Sequence, residues 1–333
     1  MLKFQKLIHY LTLPFLFITN VYSFYIGVGG FSVCEYHNKT ISTYSKKCLF
    51  KKRKNISYFL KKELPNVNAI SIWITKDWKE YWYPAKTINN FIKKGYTPIF
   101  IFYWFGDDIS PEFVKKNKNN YLNAIKKFSK FLQKINGEKI IIFNPEFNEN
   151  NISEYKKFDY LQAKSILDIK EKVKNTKIGI CFGDFGIYDR IWDNENWDYD
   201  TKNIDYSVRV SDFVAFQEMR AVTKNKKKEI LNTPERALAF SIYLYQKYKK
   251  PTFLAYLAIS SYKNDKIQTQ VIKKLNSLLP LFKKSAHLIG INYFNYIDNP
   301  LHKGYFNIAE KYWGLKTKDG KEKPAFFEFK KIK

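Results

Sequence analysis

The sequence predicts a single domain of the α/β class, a (β/α)8 TIM barrel over residues 24–333, preceded by a signal peptide at residues 1–23. Three observations predict this fold. Short apolar segments alternate with amphipathic helical segments, and eight such pairs are the number that closes a barrel. No glycine-rich dinucleotide fingerprint follows the first strand, which disfavours an open, doubly wound sheet. The length also suits one barrel without a second domain.

The first residues have the pattern of a signal peptide. Residues 1–6 carry two lysines, Leu7–Phe17 is largely apolar, and Val21-Tyr22-Ser23 resembles a cleavage site. The apolar run is shorter than the ~20 residues of a membrane-spanning helix. We therefore expect cleavage after Ser23, export to the periplasm or the extracellular space, and no stable membrane insertion of the mature chain. An uncleaved N-terminal anchor is the competing interpretation.

The predicted strands are short segments rich in β-branched and aromatic residues. Most are apolar throughout instead of alternating, which is typical of parallel strands buried on both faces. In chain order they are Phe24–Val33, Ala69–Ile74, Thr97–Tyr103, Lys139–Phe143, Lys177–Phe182, Phe213–Phe216, Pro251–Leu257 and His287–Tyr293.

Helical patterns fill the intervals between these strands. Tyr121–Ile135 repeats apolar residues at three- and four-residue spacing, and an Asn-Gly pair follows it as a stop signal. Thr233 and Pro234 supply an N-cap and a first-turn proline for a further helix. The predicted helices are Pro84–Lys94, Tyr121–Ile135, Tyr155–Val173, a segment from Thr233 to Tyr245, and Ile267–Phe282.

The formal net charge of +27 would normally indicate a polyanionic partner. The lysines are scattered over every predicted helix instead of clustered, which indicates a compositional bias on solvent-facing surfaces. We therefore predict no nucleic-acid partner, and export makes one less favourable still. An acidic glycan or an anionic surface stays open as an alternative.

The cysteines and histidines predict no metal site and no cofactor. Cys34 and Cys48 lie in a polar segment of an exported chain, so we predict a disulfide between them. Cys181 lies within an apolar strand and is predicted to be a small buried hydrophobic residue. The four histidines are dispersed, and none belongs to a cluster with metal-ligand spacing.

The fourth strand leads into the strongest candidate for chemistry. Pro145 cannot donate a hydrogen bond to a neighbouring strand, so the strand should end there. The C-terminal edge of the strand then receives Glu146 between Asn144 and Asn148. Barrel enzymes keep their catalytic groups at this edge. We predict that Glu146 is catalytic, and the alternative is a solvated loop glutamate.

The other strand ends carry acids and amides interleaved with tryptophan and tyrosine. Flat aromatic rings cover the apolar faces of sugars, while carboxylates and amides bind sugar hydroxyls. The pattern therefore predicts a carbohydrate ligand, whereas Trp73 alone is expected to be a core residue. The predicted sugar-binding residues are Asn144, Asn148 and Asn292 as hydrogen-bonding groups, and Trp78, Trp104 and Tyr293 as platforms.

The segment from Asn144 to Asn148 is similar to the strand-four segment of the retaining (β/α)8 glycoside hydrolases, in which an asparagine commonly precedes an acid/base glutamate. The C-terminal Trp313-Gly314-Leu315 also resembles the way in which many such barrels finish. The resemblance implies that Glu146 is the acid/base of a glycoside hydrolase. These enzymes carry their nucleophilic glutamate after strand seven, and residues 251–261 contain no carboxylate.

A second carboxyl group must therefore come from elsewhere or be absent, since retaining and inverting chemistry both need a pair. Glu218 is the first candidate and Asp184 the second, with Asp107 and Asp298 behind them. An ion pair between Glu218 and Arg220 is the alternative to a catalytic role. Three functions stay open: a glycoside hydrolase, a non-catalytic carbohydrate-binding barrel, and a barrel that acts on another class of substrate.

Overall fold

The computed structural model describes residues 23–30 and 56–333. Its eight parallel strands pair in chain order and close into a barrel, so the predicted (β/α)8 fold is confirmed. The strands are β1 Tyr25–Val28, β2 Ala69–Thr75, β3 Thr97–Tyr103, β4 Lys139–Phe143, β5 Thr176–Gly183, β6 Phe213–Arg220, β7 Thr252–Ile259 and β8 Leu288–Tyr293.

Helices cover the outside of the barrel. One of them begins ten residues before its predicted start, because Ser110 caps it by accepting a hydrogen bond from the Phe113 backbone at 3.1 Å and a proline follows. The helices are α1 Ile56–Glu63, α2 Ala85–Lys93, α3 Pro111–Leu132, α4 Lys156–Lys172, α5 Asn194–Asp200, α6 Asp205–Val210, α7 Lys227–Leu231, α8 Thr233–Tyr248, α9 Asp265–Ala286 and α10 Pro324–Phe329.

Alternate residues of each strand build two separate apolar layers. Ile140 and Ile142 of β4 point into the barrel, whereas Ile141 and Phe143 pack beneath the helices. The interior is filled with side chains and is not a pore. Gly179 makes room for one of them, because a Cβ atom there would lie 2.2 Å from the Phe213 ring.

An irregular register between β6 and β7 decides where their polar side chains point. Phe216 pairs with Leu254 but Gln217 pairs with Tyr256, so β7 contains one extra residue. Tyr256 consequently faces the barrel interior. Glu218 pairs with Leu257, whose side chain belongs to the layer beneath the helices, so Glu218 faces the helices too.

Two predictions fall on residues that the structure does not describe. Residues 1–22 of the predicted signal peptide lie outside the described residues, and so do Cys34 and Cys48 of the predicted disulfide. Within residues 23–30 and 56–333, no helix has the length and apolar character needed to cross a membrane.

Candidate active site

The chain after β4 adopts an unusual backbone conformation that turns Glu146 towards the C-terminal mouth of the barrel. Asn144 has a φ of 47° and Glu146 a φ of 57°, a left-handed region that non-glycine residues rarely adopt. Neighbouring strands hold both residues in place. The Asn144 amide donates to the Phe102 carbonyl at 3.0 Å, and the Glu146 amide donates to the Cys181 carbonyl at 3.1 Å. Strain of this kind concentrates at functional sites.

The surroundings of the Glu146 carboxyl group favour its protonated form at neutral pH. Burial raises the pKa of Glu146 to about 8, and the charges of Glu149, Asp107 and Glu310 act in the same direction. A hydrogen bond from the Tyr256 hydroxyl to Oε1, 2.5 Å long, partly opposes this rise. A carboxylic acid that keeps its proton at pH 7 can serve as a general acid.

Aromatic rings form one wall around this carboxyl group. The ring of Trp73 lies 5.4 Å from Tyr103, 5.4 Å from Tyr256 and 5.5 Å from Phe294, between ring centroids. Trp73 is half-buried and packs against the apolar layer inside the barrel, so the expectation of a core residue is met in part. An apolar wall beside a protonated carboxyl group suits the face of a sugar ring.

Three further carboxyl groups act on this site, those of Glu149, Asp107 and Glu310. Burial raises the pKa of Glu149 to about 7, and the charge of Asp107 contributes to the rise. The Tyr103 hydroxyl donates a hydrogen bond to Asp107. Burial, followed by the charges of Glu146 and Asp107, raises the pKa of Tyr103. Asp107 and Glu149, together with Glu310, are therefore the acids that share the electrostatic environment of Glu146.

Asp184, one of the two acids predicted to oppose Glu146, lies instead in a buried charge network beneath the helices. Arg236 of α8 donates to both of its oxygens, from Nε at 2.6 Å and from Nη2 at 2.7 Å. The indole of Trp197 donates to Oδ1 at 2.9 Å. These three bonds occupy the carboxylate, so Asp184 is placed to anchor α8 and not to attack a substrate.

Glu218, the other predicted partner, belongs to the same network. Its Oε2 lies 2.8 Å from Nη2 of Arg220, and both side chains are buried. The ring of Tyr188 lies 3.7 Å from the Arg220 guanidinium and covers it. The structure does not bring Glu218 opposite Glu146, because the alternation of β6 directs it towards the helices. The alternative ion pair with Arg220 is what the structure contains.

The predicted sugar-binding amides also have partners within the protein. Asn144 donates to the Tyr121 hydroxyl at 3.1 Å and to Gln162 Oε1 at 2.9 Å. Asn148 is bonded to the backbone of Gly183 at both ends of its amide, and Asn292 donates to the Ala255 carbonyl at 2.9 Å. All three are buried, and their contacts hold the strand ends together.

The predicted aromatic platforms lie in the packing between strands and helices, not at the mouth. Their contacts explain this placement, since each ring is buried against helix residues or the loop before α3. Trp78 packs on Phe131 at 4.8 Å, Trp104 packs on Phe105 at 5.1 Å and Tyr121 at 5.5 Å, and the Tyr293 hydroxyl accepts from Gln268 at 2.9 Å.

Sequence reasoning missed the residues that surround Glu146, chiefly Tyr256, Tyr103 and Trp73. One signal was available for Tyr256, which is the only large polar-tipped residue in the otherwise aliphatic and aromatic β7. Its inward direction depends on the irregular register of β7, which has no local signature in the sequence. Across residues 23–30 and 56–333, no group of three or more potential metal ligands is assembled.

No protein-family model and no curated protein matches this sequence. Similar solved structures include an endo-1,4-β-D-mannanase from Thermotoga petrophila, at 11% identity and a TM-score of 0.59, with 92% of this chain and 98% of the mannanase covered. A family 1 β-glucosidase from Thermotoga maritima is 12% identical, at a TM-score of 0.58, with 92% and 96% covered.

A β-glucuronidase from an uncultured Clostridium sp. is 14% identical, at a TM-score of 0.58, with 92% of this chain covered. This chain spans 50% of the length of that glucuronidase. At such identities the likeness shows the fold. The protein therefore has the barrel fold that these glycoside hydrolases share.

Proposed function

We propose that the protein is a glycoside hydrolase that cleaves an oligosaccharide or a polysaccharide, with Glu146 as its general acid. The observation that carries this proposal is the carboxyl group of Glu146 at the C-terminal end of β4, removed from water and bonded to Tyr256, whose ring packs on the half-buried Trp73. The barrel fold of the mannanase, the β-glucosidase and the β-glucuronidase supports the choice of a carbohydrate substrate.

In this mechanism the Glu146 proton passes to the glycosidic oxygen as the bond to the leaving group breaks. The surrounding aromatic rings exclude water and keep the carboxyl group neutral until the substrate arrives. Because Glu218 and Asp184 are held by arginines, the second catalytic group must come from the mouth itself. The groups that act there on Glu146 include Tyr256, Asp107 and Glu149.

The proposed setting is outside the cytoplasm. The signal-peptide pattern of residues 1–23 supports export, and an exported hydrolase would meet glycans of cell walls or of the surroundings. No cofactor is needed, because proton transfer and nucleophilic attack are the only chemical operations of the reaction.

A non-catalytic carbohydrate-binding barrel is the second candidate. One observation favours it: β7 carries no carboxylate, and Glu218 and Asp184, the first two candidates for a second carboxyl group, are paired with arginines. Such a protein would keep Trp73 and its neighbours as a sugar platform without turning over the ligand.

The test compares Glu146→Gln with the wild type on a panel of aryl glycosides and on mannan, cello- and glucurono-oligosaccharides. Loss of general acid catalysis should lower kcat/KM on unactivated substrates by roughly 10²–10⁴-fold, while affinity measured by calorimetry barely changes. Glu171→Gln, the same change on the exposed side of α4, is the matched control and should leave the rate unaltered.

The two candidates give different outcomes in this assay. A wild type that binds an oligosaccharide and leaves it uncut over long incubation would establish the binding barrel. A wild type that neither binds nor cuts any member of the panel would refute a carbohydrate function. Equal rates for Glu146→Gln and the wild type would remove Glu146 from the mechanism.

A further inference from the structure

We infer that Tyr256 is the catalytic nucleophile of this site, and that it forms a covalent glycosyl-tyrosine intermediate in place of the missing strand-seven carboxylate. This inference rests on the proposed hydrolase function and names the group that completes it. Three features of the structure carry it: the position of Tyr256 on β7, the fixed orientation of its ring, and its contact with Glu146.

Tyr256 lies on β7 itself, three residues before Ile259, the last residue of the strand after which a carboxylate would otherwise be expected. The eight residues of β7 contain no acid. Its extra residue turns Tyr256 into the barrel opposite Gln217, three strands away from β4. The hydroxyl nonetheless reaches Glu146, so the two side chains meet across the mouth.

The ring of Tyr256 is held in place on several sides. It lies 5.4 Å from Trp73 and 6.2 Å from Phe294, between centroids, and only 1% of the residue is exposed. A nucleophile gains from such fixation, because a bound group that is already oriented avoids an entropic cost in the reaction. The hydroxyl lies against the carboxyl group of Glu146, a residue that is itself only half-buried.

The contact with Glu146 supplies the base that a phenol needs. The Tyr256 hydroxyl donates to Oε1 at 2.5 Å, and a protonated Glu146 still has Oε2 with which to donate. One carboxylic acid can thus accept a proton at one oxygen while it releases a proton from the other.

The first step then balances without any further reactant. The Tyr256 oxygen bonds to the anomeric carbon while its proton passes to Oε1 of Glu146. The proton on Oε2 passes to the glycosidic oxygen, and the bond between that oxygen and the anomeric carbon breaks. Glu146 is neutral before and after the step, and the sugar is left bound to Tyr256 through oxygen.

The second step reverses the proton path with water in place of the alcohol. Water attacks the anomeric carbon and gives a proton to Oε2 of Glu146, while the proton on Oε1 returns to the departing Tyr256 oxygen. The two displacements restore the enzyme and release the sugar with retained anomeric configuration.

The charges at the mouth favour a neutral nucleophile. Glu149, Asp107 and Glu310 already place negative charge near Glu146. A further carboxylate would add like-charge repulsion, whereas a phenol does not. The same negative field stabilises the positive charge that develops on the sugar in an oxocarbenium-like transition state.

The experiment traps the intermediate. The protein is incubated with 2,4-dinitrophenyl 2-deoxy-2-fluoro-β-D-glucoside and with the corresponding mannoside and glucuronide, and its intact mass is measured. We expect a stable mass increase of one fluorosugar, mapped by peptide sequencing to Tyr256. Tyr256→Phe should show no adduct and should lose at least about 10³-fold in kcat/KM.

Tyr248→Phe on α8 is the matched control, since the hydroxyl of Tyr248 donates only to the Thr201 carbonyl. This variant should keep both the adduct and the rate.

An adduct on Asp107 or Glu149, anomeric inversion seen by proton NMR, or near-wild-type activity of Tyr256→Phe would each overturn the inference and leave the hydrolase function standing. If Tyr256→Phe fails to fold, adduct mapping and anomeric outcome in the wild type decide. A wild type that cleaves no glycoside would overturn both.

Discussion

Among single residues, Glu146 combines two features that oppose folding, a left-handed backbone and a carboxyl group removed from water. The left-handed backbone opposes folding at every pH. The cost of burying the carboxyl group depends on whether that group carries its proton. Between the ordinary value of 4.5 and the folded value of about 8, the unfolded chain has lost the proton that the folded chain keeps. Burial of Glu146 therefore destabilises the folded chain most above about pH 8, and this cost disappears below about pH 4.5.

We predict that Glu146→Gln stabilises the protein at pH 8 and has little effect near pH 4.5. Glutamine keeps the shape of the side chain and never ionises. Because one pKa unit corresponds to about 1.4 kcal/mol, the gain at pH 8 should reach roughly 2–4 kcal/mol in the free energy of unfolding. Urea denaturation at several pH values measures this. A stability difference that is independent of pH would contradict the raised pKa, and Glu171→Gln provides the flat reference curve.

At the scale of whole elements, the network around Asp184 ties β5 to α8. Arg236 reaches from the helix to the carboxylate at the strand end, and both are buried. Replacing one member of such a pair leaves the other charged and unpaired in a medium that solvates it poorly. The network therefore holds the helix layer over the strand ends and is not available for chemistry.

We predict that Asp184→Ala destabilises the protein by about 3–5 kcal/mol, because Arg236 then lacks its partner. The double variant Asp184→Leu with Arg236→Met should recover most of this loss, since it removes both charges. Glu80→Gln breaks an exposed ion pair with Lys134 and should change stability by less than about 1 kcal/mol. Denaturant unfolding of the four proteins gives the comparison, and equal effects for Asp184→Ala and Glu80→Gln would be incompatible with a buried anchor.

The elements also show what the sequence alone could determine. Apolar runs and their stop signals predict the C-terminal ends of six strands to within two residues. The predicted end of β1, at Val33, lies outside the described residues. Strand β6 extends to Arg220 although Gln217, Glu218 and Arg220 interrupt its apolar pattern. Glu218 and Arg220 are buried as an ion pair within that strand, and Arg220 also faces Asp184, which Arg236 of α8 holds. The contacts with Asp184 and Arg236 come from distant segments of the chain, so no local pattern predicts them.

The candidate site follows the same rule. The position of Glu146 at the end of β4 could be predicted because its strand, its proline and its flanking amides are neighbours along the chain. The direction of the Tyr256 side chain could not be predicted, because it depends on one extra residue in β7 that shows only once both adjacent strands are in place. The amides Asn144 and Asn148 were assigned to sugar because their true partners, Gln162 and Gly183, are brought close only by the fold.

For the molecule as a whole, positive charge is the dominant property of the surface. The formal net charge is +27, and the lysines are spread over the helices that cover the barrel. Mutual repulsion among like charges destabilises a compact state, and dissolved salt screens it. Folding of this chain should therefore respond strongly to ionic strength.

We predict that the melting temperature rises by a few degrees when NaCl increases from about 10 to 150 mM, as the screening length falls from about 30 to 8 Å. Differential scanning calorimetry measures the shift. A variant with Lys115→Glu, Lys116→Glu and Lys118→Glu, three exposed positions on α3, should show a smaller shift because its repulsion is reduced. A melting temperature that falls with salt would mean that attractive ion pairs outweigh the repulsion.

The closure of the barrel has a consequence for how the chain is made. Strand β1 pairs with β8 at four register positions and with β2 at only two, so its main partner is the last strand to be synthesised. While the ribosome is still translating, the first strand has one unpaired side, and the growing sheet keeps an open edge. Exposed edges invite pairing with other chains. A nascent chain interrupted before Leu288 is thus expected to be a substrate for chaperones, because the barrel can close only when translation is almost finished.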